Sequence, residues 1–124
     1  MKRWRIVFFV YILTLTVGLV HPKGGEITGF AGASAGEHPD LQHFLAFVVL
    51  AALAIKARFE VTRTSLGAKL LVYAVAGEVV QMVIPGRTAC LMDGLANVLG
   101  IATGLGFWVI TTSVGKTNGG QQGK

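Results

Sequence analysis

Polar side chains that could do chemistry stand inside long apolar stretches of this chain. Glu78 and Gln81 lie three residues apart in one such stretch, and Asp93 and Asn97 lie four residues apart in the next. Residues at these spacings share one face of an α-helix, so the side chains of each pair point the same way. Carboxylate and amide groups placed together can bind a polar ligand, and a carboxylate can also act as a general base.

Three further polar residues lie close to these pairs in the chain. Asp40 and His43 open an earlier apolar stretch, and Arg87 lies in the short turn that joins the stretch of Glu78 to that of Asp93. An ionisable residue at membrane depth costs free energy unless it is paired or hydrated, and by default it marks a functional site. The acidic residues nearly balance the arginine and the histidine, which permits a neutralised cluster inside a helix bundle.

Each of these residues also has a purely structural interpretation. Arg87 could tie a helical hairpin together, and Asn97 could make a hydrogen bond between helices worth about 0.6 kcal/mol. Gly100 and Gly104 have the small-xxx-small spacing that lets two helices pack closely. His43 has the position of a capping or hydrogen-bonding residue, so we predict neither a metal site nor a cofactor.

The stretches that carry these residues have the length and composition of membrane-spanning helices. Of the 124 residues, 52% are hydrophobic and 14% are charged, whereas about 25% are charged in soluble domains. A soluble chain of this length has no core large enough to bury so much apolar surface. We therefore predict an all-α fold, an integral membrane bundle of four transmembrane helices at about residues 4–21, 41–56, 66–84 and 91–112.

Two of these helices leave an alternative open. A helix needs about 20 apolar residues to cross a bilayer, and the second has fewer. It could lie lower in the membrane, or be flanked by polar residues that face a cavity within the protein. The first follows a basic start, as a signal peptide would. However, the small residues of Ala33–Ala35 lie too far beyond Val20 for cleavage, so we predict a retained helix.

The positions of lysine and arginine predict the orientation. If the helices alternate in direction, two of the 11 basic residues, Lys23 and Arg87, fall on one side. The other nine fall on the opposite side, namely Lys2, Arg3, Arg5, Lys56, Arg58, Arg63, Lys69, Lys116 and Lys124. Because basic residues concentrate in cytoplasmic segments, we predict that both ends are cytoplasmic (N-in/C-in). Residues 115–124 are polar and glycine-rich, so they are predicted to form a disordered cytoplasmic tail.

This orientation places the seven polar residues near the outer surface. We expect the side chains of His43, Glu78, Arg87, Asp93 and Asn97 to converge on one pocket there, with Arg87 paired to a carboxylate. The basic charge balance, with a pI near 9.8, does not predict nucleic-acid binding, because no basic stripe is interleaved with aromatic residues.

Taken in order, these motifs resemble the VanZ-like family of bacterial membrane proteins. The resemblance extends over about residues 40–107 and rests on the segments His43–Phe47, Gly77–Gln81, Pro85–Arg87, Asp93–Asn97 and Gly100–Gly104. Members often have a lysine where this chain has Leu41, so no role of that lysine is carried over. The resemblance implies a small protein of the bacterial cytoplasmic (inner) membrane, linked to the cell envelope. It also implies a link to low-level teicoplanin resistance.

The first of three functional hypotheses is the binding of an amphiphilic ligand, a membrane lipid or a lipoglycopeptide, at the outer leaflet. Arg87 would contact an anionic headgroup as a charge-assisted donor, and Gln81 and Asn97 would orient it.

The other two hypotheses assign the same residues to catalysis or to structure. In an enzyme acting on an envelope lipid, Glu78 or Asp93 would be the general base and His43 its partner, and Arg87 would stabilise developing negative charge. In an accessory subunit of a larger membrane complex, the polar residues would only hold the fold together. Variants of Glu78, Arg87 and Asp93 discriminate these hypotheses, because a site needs them for activity and a structural cluster needs them for stability.

Overall fold

A computed structural model of the chain describes residues 2–21, 39–85 and 91–119. These residues form four helices and no strand, which confirms the predicted all-α fold. The helices are α1 (Lys2–Val20), α2 (Pro39–Lys56), α3 (Arg63–Val83) and α4 (Leu91–Gly119). Their starts and ends agree with the predicted helices to within a few residues, except at the end of α4.

The last helix is longer than the sequence predicts. α4 continues to Gly119, so residues 115–119 are helical and the prediction of a disordered tail from residue 115 was wrong for them. Residues 120–124 lie outside the described residues. Once a helix has formed, each added residue gains one backbone hydrogen bond. In addition, the hydroxyls of Thr112 and Ser113 donate to the carbonyls of Trp108 and Val109 at 2.9 and 2.7 Å, so these polar residues are satisfied within the helix.

Three helices are long and apolar enough to cross a membrane, namely α1, α3 and the part of α4 from Leu91 to Ser113. The apolar part of α2, Leu41–Lys56, is shorter than this requires, as its sequence predicts. However, α2 is also well buried, because Phe47 and Leu50 have no exposed surface. A short helix that contacts protein on several sides needs less apolar length than a helix that lipid surrounds.

The outer faces of the bundle are apolar. Large apolar side chains are exposed along α1, α3 and α4, among them Ile6, Leu13, Val72, Val83, Leu91 and Phe107. A water-soluble protein of this size does not expose continuous apolar surface on this scale. The length and composition of the helices together with this surface define a multi-pass membrane protein.

The helices form a ring in the order α1, α2, α4, α3. Within the described residues, α2 contacts α1 and α4, and α3 also contacts α1 and α4. Helices α2 and α3, although consecutive in the chain, therefore lie across the bundle from each other. The most extensive contact joins α2 to α4.

Gly100 and Gly104 lie at this contact between α2 and α4. A Cβ atom added to Gly100 would lie 2.5 Å from the carbonyl oxygen of Phe44, and one added to Gly104 would lie 2.6 Å from the Cβ of Ala51. Neither distance is possible for a real side chain. The two glycines therefore pack against another helix, as their spacing predicts, and they let the backbones of α2 and α4 approach each other.

One end of the bundle is basic. Arg5 of α1 donates from Nε to the carbonyl of Ala57 at 3.2 Å and from Nη2 to the carbonyl of Arg58 at 3.1 Å, just beyond α2. The last carbonyls of a helix lack partners within it and carry partial negative charge, so a guanidinium is favourable there. Lys56 Nζ lies 4.5 Å from the centre of the Trp4 ring. We call this end, which carries Arg5, Lys56, Arg58 and Arg63, the basic end.

Candidate functional site

The opposite end of the bundle collects the polar side chains. Helices α2 and α4 begin at this end and α3 ends there, since contacts join the start of α4 to the start of α2 and to the end of α3. His43 lies in the first turns of α2, Glu78 in the last turns of α3, and Asp93 and Asn97 in the first turns of α4. The structure brings these four residues together, and we call them the polar cluster.

Asn97 links the three helices of the polar cluster. Its Nδ2 donates to Glu78 Oε1 at 3.0 Å, and its Oδ1 lies 3.0 Å from His43 Nδ1. Its side chain is almost completely buried, with 1% of the residue exposed. An amide oxygen only accepts hydrogen bonds, so in this arrangement His43 carries a hydrogen on Nδ1 and donates it to Asn97. The orientation of one amide therefore makes the imidazole Nδ1 a hydrogen-bond donor.

The second imidazole nitrogen of His43 faces Asp93. His43 Nε2 lies 4.0 Å from Asp93 Oδ2, and the two side chains are 15% and 12% exposed. This distance is longer than the about 2.7–2.9 Å of a charge-assisted hydrogen bond, so Nε2 is near the carboxylate without a hydrogen bond to it. Asp93 and Asn97 lie one turn apart on α4, so a single helix face holds the imidazole on both sides. In the described part of the chain, no group of three His, Cys, Asp or Glu side chains is placed to hold a metal ion.

Gln81 is buried, but its amide nitrogen bonds to α1 and not to the polar cluster. Its Nε2 donates to the carbonyl of Leu19, in the last turn of α1, at 3.2 Å. The sequence predicted that Gln81 would orient a ligand together with Asn97, and the structure corrects this prediction. Residues three apart differ in direction by about 60° around a helix axis. Because α3 lies between α1 and α4, this difference directs Glu78 to α4 and Gln81 to α1.

Two predicted members of the site lie outside the described residues. These are Arg87, with the other residues of 86–90, and the side chain of Asp40. The pairing of Arg87 with a carboxylate therefore stays a prediction. A carboxylate has two oxygens that each accept more than one hydrogen bond, so Glu78 and Asp93 can bind further donors besides the partners described above.

A second layer of polar contacts, deeper in the bundle, had no place in the predicted site. The Tyr11 hydroxyl donates to the carbonyl of Ala46 at 2.8 Å and joins α1 to α2. The Thr16 hydroxyl lies 2.8 Å from the hydroxyl of Tyr73 and joins α1 to α3. The signal that could have found them is the hydroxyl itself, because a polar group inside a membrane needs a partner within the protein.

The fold and the polar cluster define the class of this protein: a multi-pass helical membrane protein with a partly buried, hydrogen-bonded polar cluster at one end of its bundle. No family model, no curated protein and no solved structure matches the chain.

Proposed function

We propose that this chain is a multi-pass protein of the bacterial cytoplasmic membrane that binds an amphiphilic molecule of the cell envelope, a lipid or a lipoglycopeptide. The binding site is the polar cluster, which faces outward. With the resemblance to the VanZ-like family, the proposal includes a contribution to resistance against teicoplanin-type glycopeptides. The observation that supports it is the partly buried chain of contacts that joins His43, Asn97 and Glu78.

The proposed orientation rests on the difference in charge between the two ends of the bundle. The side chains of Arg5, Lys56 and Arg58 lie at the basic end, and the carboxylates of Glu78 and Asp93 lie at the other. Basic residues concentrate on the cytoplasmic side of membrane proteins. The polar cluster then lies toward the outer leaflet, where an envelope molecule would meet it.

The two carboxylates favour binding over a purely structural role. Asn97 alone could join neighbouring helices by a neutral hydrogen bond, whereas a carboxylate inside a membrane adds a desolvation cost. Hydroxyl and amine groups of a ligand could donate to the oxygens of Glu78 and Asp93 in addition to the protein partners of these carboxylates. Exposed apolar side chains lie beside the cluster, with Val83 77% and Leu91 80% exposed, and they could contact the acyl chain of the same ligand.

The surroundings of His43 suit it to a positioning role. One of its ring nitrogens contacts the amide of Asn97 at 3.0 Å and the other lies 4.0 Å from Asp93. The imidazole is therefore held between two residues of α4, and it can fix the positions of the polar cluster around a ligand.

The test compares Glu78→Gln and Asp93→Asn with Glu60→Gln, a matched control that removes an exposed carboxylate at the basic end. Binding of a teicoplanin-type lipoglycopeptide to the full chain in nanodiscs is measured, together with thermal unfolding in detergent. We expect each site variant to lose about tenfold in affinity, because a hydrogen bond to a charged group contributes about 1.5–3 kcal/mol. Unfolding should change less than binding, because the amide oxygen of glutamine still accepts a hydrogen bond from Asn97. Glu60→Gln should bind normally.

Other outcomes would support the competing functions. Binding that is unchanged in both site variants would contradict the proposal. Loss of expression and stability in both, without a specific effect on binding, would indicate the structural cluster of an accessory subunit. Conversion of the ligand by the original chain, lost in Glu78→Gln, would indicate an enzyme. The same glycopeptide without its acyl chain should bind more weakly, because the proposed ligand is amphiphilic.

A further inference from the structure

A second candidate site lies at the basic end, far from the polar cluster. A cavity of about 250 Å³ opens between the end of α2, the connection to α3, the start of α3 and the second half of α4. Its walls are apolar and include Ala54, Phe59, Leu66, Leu105 and Trp108. The charged residues among its described lining are Arg58 and Arg63, and none of that lining is acidic. We call this cavity the basic groove.

Arg58 occupies a backbone conformation that arginine rarely adopts. Its φ is 47°, in the left-handed region, just after α2. This position after a helix usually carries glycine, because other L-residues cost about 1–2 kcal/mol there. The conformation is held by the hydrogen bond from Arg58 N to the carbonyl of Ile55 at 3.1 Å and by the one that Arg58 O accepts from Arg5. A strained arginine on the rim of a cavity points to a role for its side chain.

The charge of the groove favours an anion. Two guanidinium groups on its rim can each bind a phosphate through two parallel hydrogen bonds. The amino-terminal end of α3 begins at Arg63, and the partial positive charge of a helix start also favours an anion. Arg63 itself lies at the end of the helix dipole that disfavours a cation, so its position is not explained by the stability of α3.

The size and walls of the groove favour a lipid over a free anion. Its volume is below the about 300–1,000 Å³ of cavities that enclose a whole drug-sized ligand. It is therefore suited to part of a longer molecule whose remainder lies in the bilayer. Trp108 in its wall is of the residue type that concentrates where headgroups meet hydrocarbon.

We propose that the basic groove binds an anionic phospholipid. The phosphate lies between the guanidinium groups of Arg58 and Arg63, and the upper part of one acyl chain lies against Leu66, Leu105 and Trp108. A phospholipid whose headgroup adds a positive charge is a weaker ligand, because its net charge is zero. With the orientation proposed above, the basic groove lies in the cytoplasmic leaflet. The binding itself does not depend on that orientation.

The test uses native mass spectrometry of the purified full chain in micelles that contain phosphatidylglycerol and phosphatidylcholine with the same acyl chains. We expect a preference for phosphatidylglycerol that falls about fivefold in Arg58→Gly, which corresponds to the about 1 kcal/mol of one basic residue near an anionic lipid. Glycine also relieves the left-handed backbone, so Arg58→Gly should be as stable as the original chain. A loss of lipid binding without a loss of stability separates recognition from folding.

Arg63→Gln provides a second variant that does not depend on the backbone of Arg58, and the same fall in preference is expected. Lys69→Gln is the matched control, because Lys69 is exposed on α3 and does not line the groove. Equal binding of the two lipids, or an unchanged preference in both arginine variants, would overturn the proposal. Displacement of phosphatidylglycerol by inorganic phosphate would also overturn it and indicate a site for a free anion. Because the polar cluster is intact in these variants, lipoglycopeptide binding tests the two proposals separately.

Discussion

Asn97 connects two other members of the polar cluster, although its own side chain is neutral. It donates to a carboxylate on one side and faces an imidazole on the other, so it holds α2 and α3 to α4 at one point. Hydrogen bonds between membrane helices are worth about 0.6 kcal/mol on average. We expect the bond to Glu78 to exceed that average, because its acceptor is a carboxylate and Asn97 is buried.

We expect Asn97→Ala to lower the free energy of unfolding by about 2 kcal/mol. The substitution removes the shared partner of the partly buried Glu78 carboxylate and His43 imidazole, and a hydrogen bond to a charged group contributes about 1.5–3 kcal/mol. Unfolding in a denaturing detergent measures this change. Thr111→Ala is the control, because Thr111 is exposed and its hydroxyl bonds within its own helix. A loss in Asn97→Ala no larger than that of the control would contradict the assigned role.

The sequence was sufficient to place most of the polar cluster. Helical spacing aligns Asp93 with Asn97, and the alternation of the helices brings Glu78 and His43 to the same end of the bundle. The partner of Gln81 could not be predicted in this way, because it depends on which helices flank α3. That order is determined by the fit of the side chains between helices, and no periodicity within one helix encodes it.

At the scale of the elements, α2 and α4 form the closest helix pair. Both begin at the end of the polar cluster, and the two glycines of α4 let the backbone of α4 lie against α2. The sequence predicted the small-residue spacing but not which helix would be the partner. The contact also accounts for the short apolar length of α2, since this helix buries Phe47, Leu50 and Ala51 completely. The end of α4 could not be predicted from composition, because a polar segment can continue a helix that is already formed.

We expect Gly104→Ala to destabilise the bundle and Ala51→Gly to restore it. The added Cβ would lie 2.6 Å from Ala51 Cβ and 2.9 Å from the carbonyl oxygen of Val48, so the helices must move apart. Overpacking of this kind costs about 1–3 kcal/mol. Removal of the Ala51 methyl group takes away the shorter of the two contacts, so the double variant should recover part of the loss. Gly104→Leu should be worse than Gly104→Ala.

Gly106→Ala is the matched control for this experiment. Nothing lies within 4 Å of the Cβ that the substitution adds, so it meets no neighbour. Alanine also favours a helix by up to about 1 kcal/mol over glycine. Thermal unfolding in detergent should therefore show a stable or more stable protein. Equal destabilisation by Gly104→Ala and Gly106→Ala would contradict the assigned role of the contact with α2, because the added methyl group at Gly106 meets no neighbour.

At the scale of the whole molecule, the two ends of the bundle differ in charge. One end carries a group of arginine and lysine side chains, of which Arg5 and Lys56 also contact protein groups. The other end carries the carboxylates of Glu78 and Asp93. Such a difference orients a membrane protein during insertion, because lysine and arginine remain on the cytoplasmic side.

We expect a cytoplasmic reporter to be active when fused after Lys124 and a periplasmic reporter to be active when inserted between Gly24 and Gly36. Substitution of Lys2, Arg3 and Arg5 by glutamine should increase the fraction of molecules in the inverted orientation, because these residues supply the basic charge of the first segment. Substitution of Lys116 and Lys124 is the comparison, with a smaller effect. An active periplasmic reporter after Lys124 in the original chain would invert the topology and place the polar cluster inside the cell.

The ring order of the helices has a consequence for biosynthesis. α2 and α3 leave the ribosome before α4, and they carry His43 and Glu78 into the membrane ahead of Asn97, the residue that joins them. Until α4 is inserted, the imidazole and the carboxylate lack the amide of Asn97, and water or the insertion machinery can take its place. The arrival of α4 is therefore the step at which the nascent chain can leave that machinery for lipid.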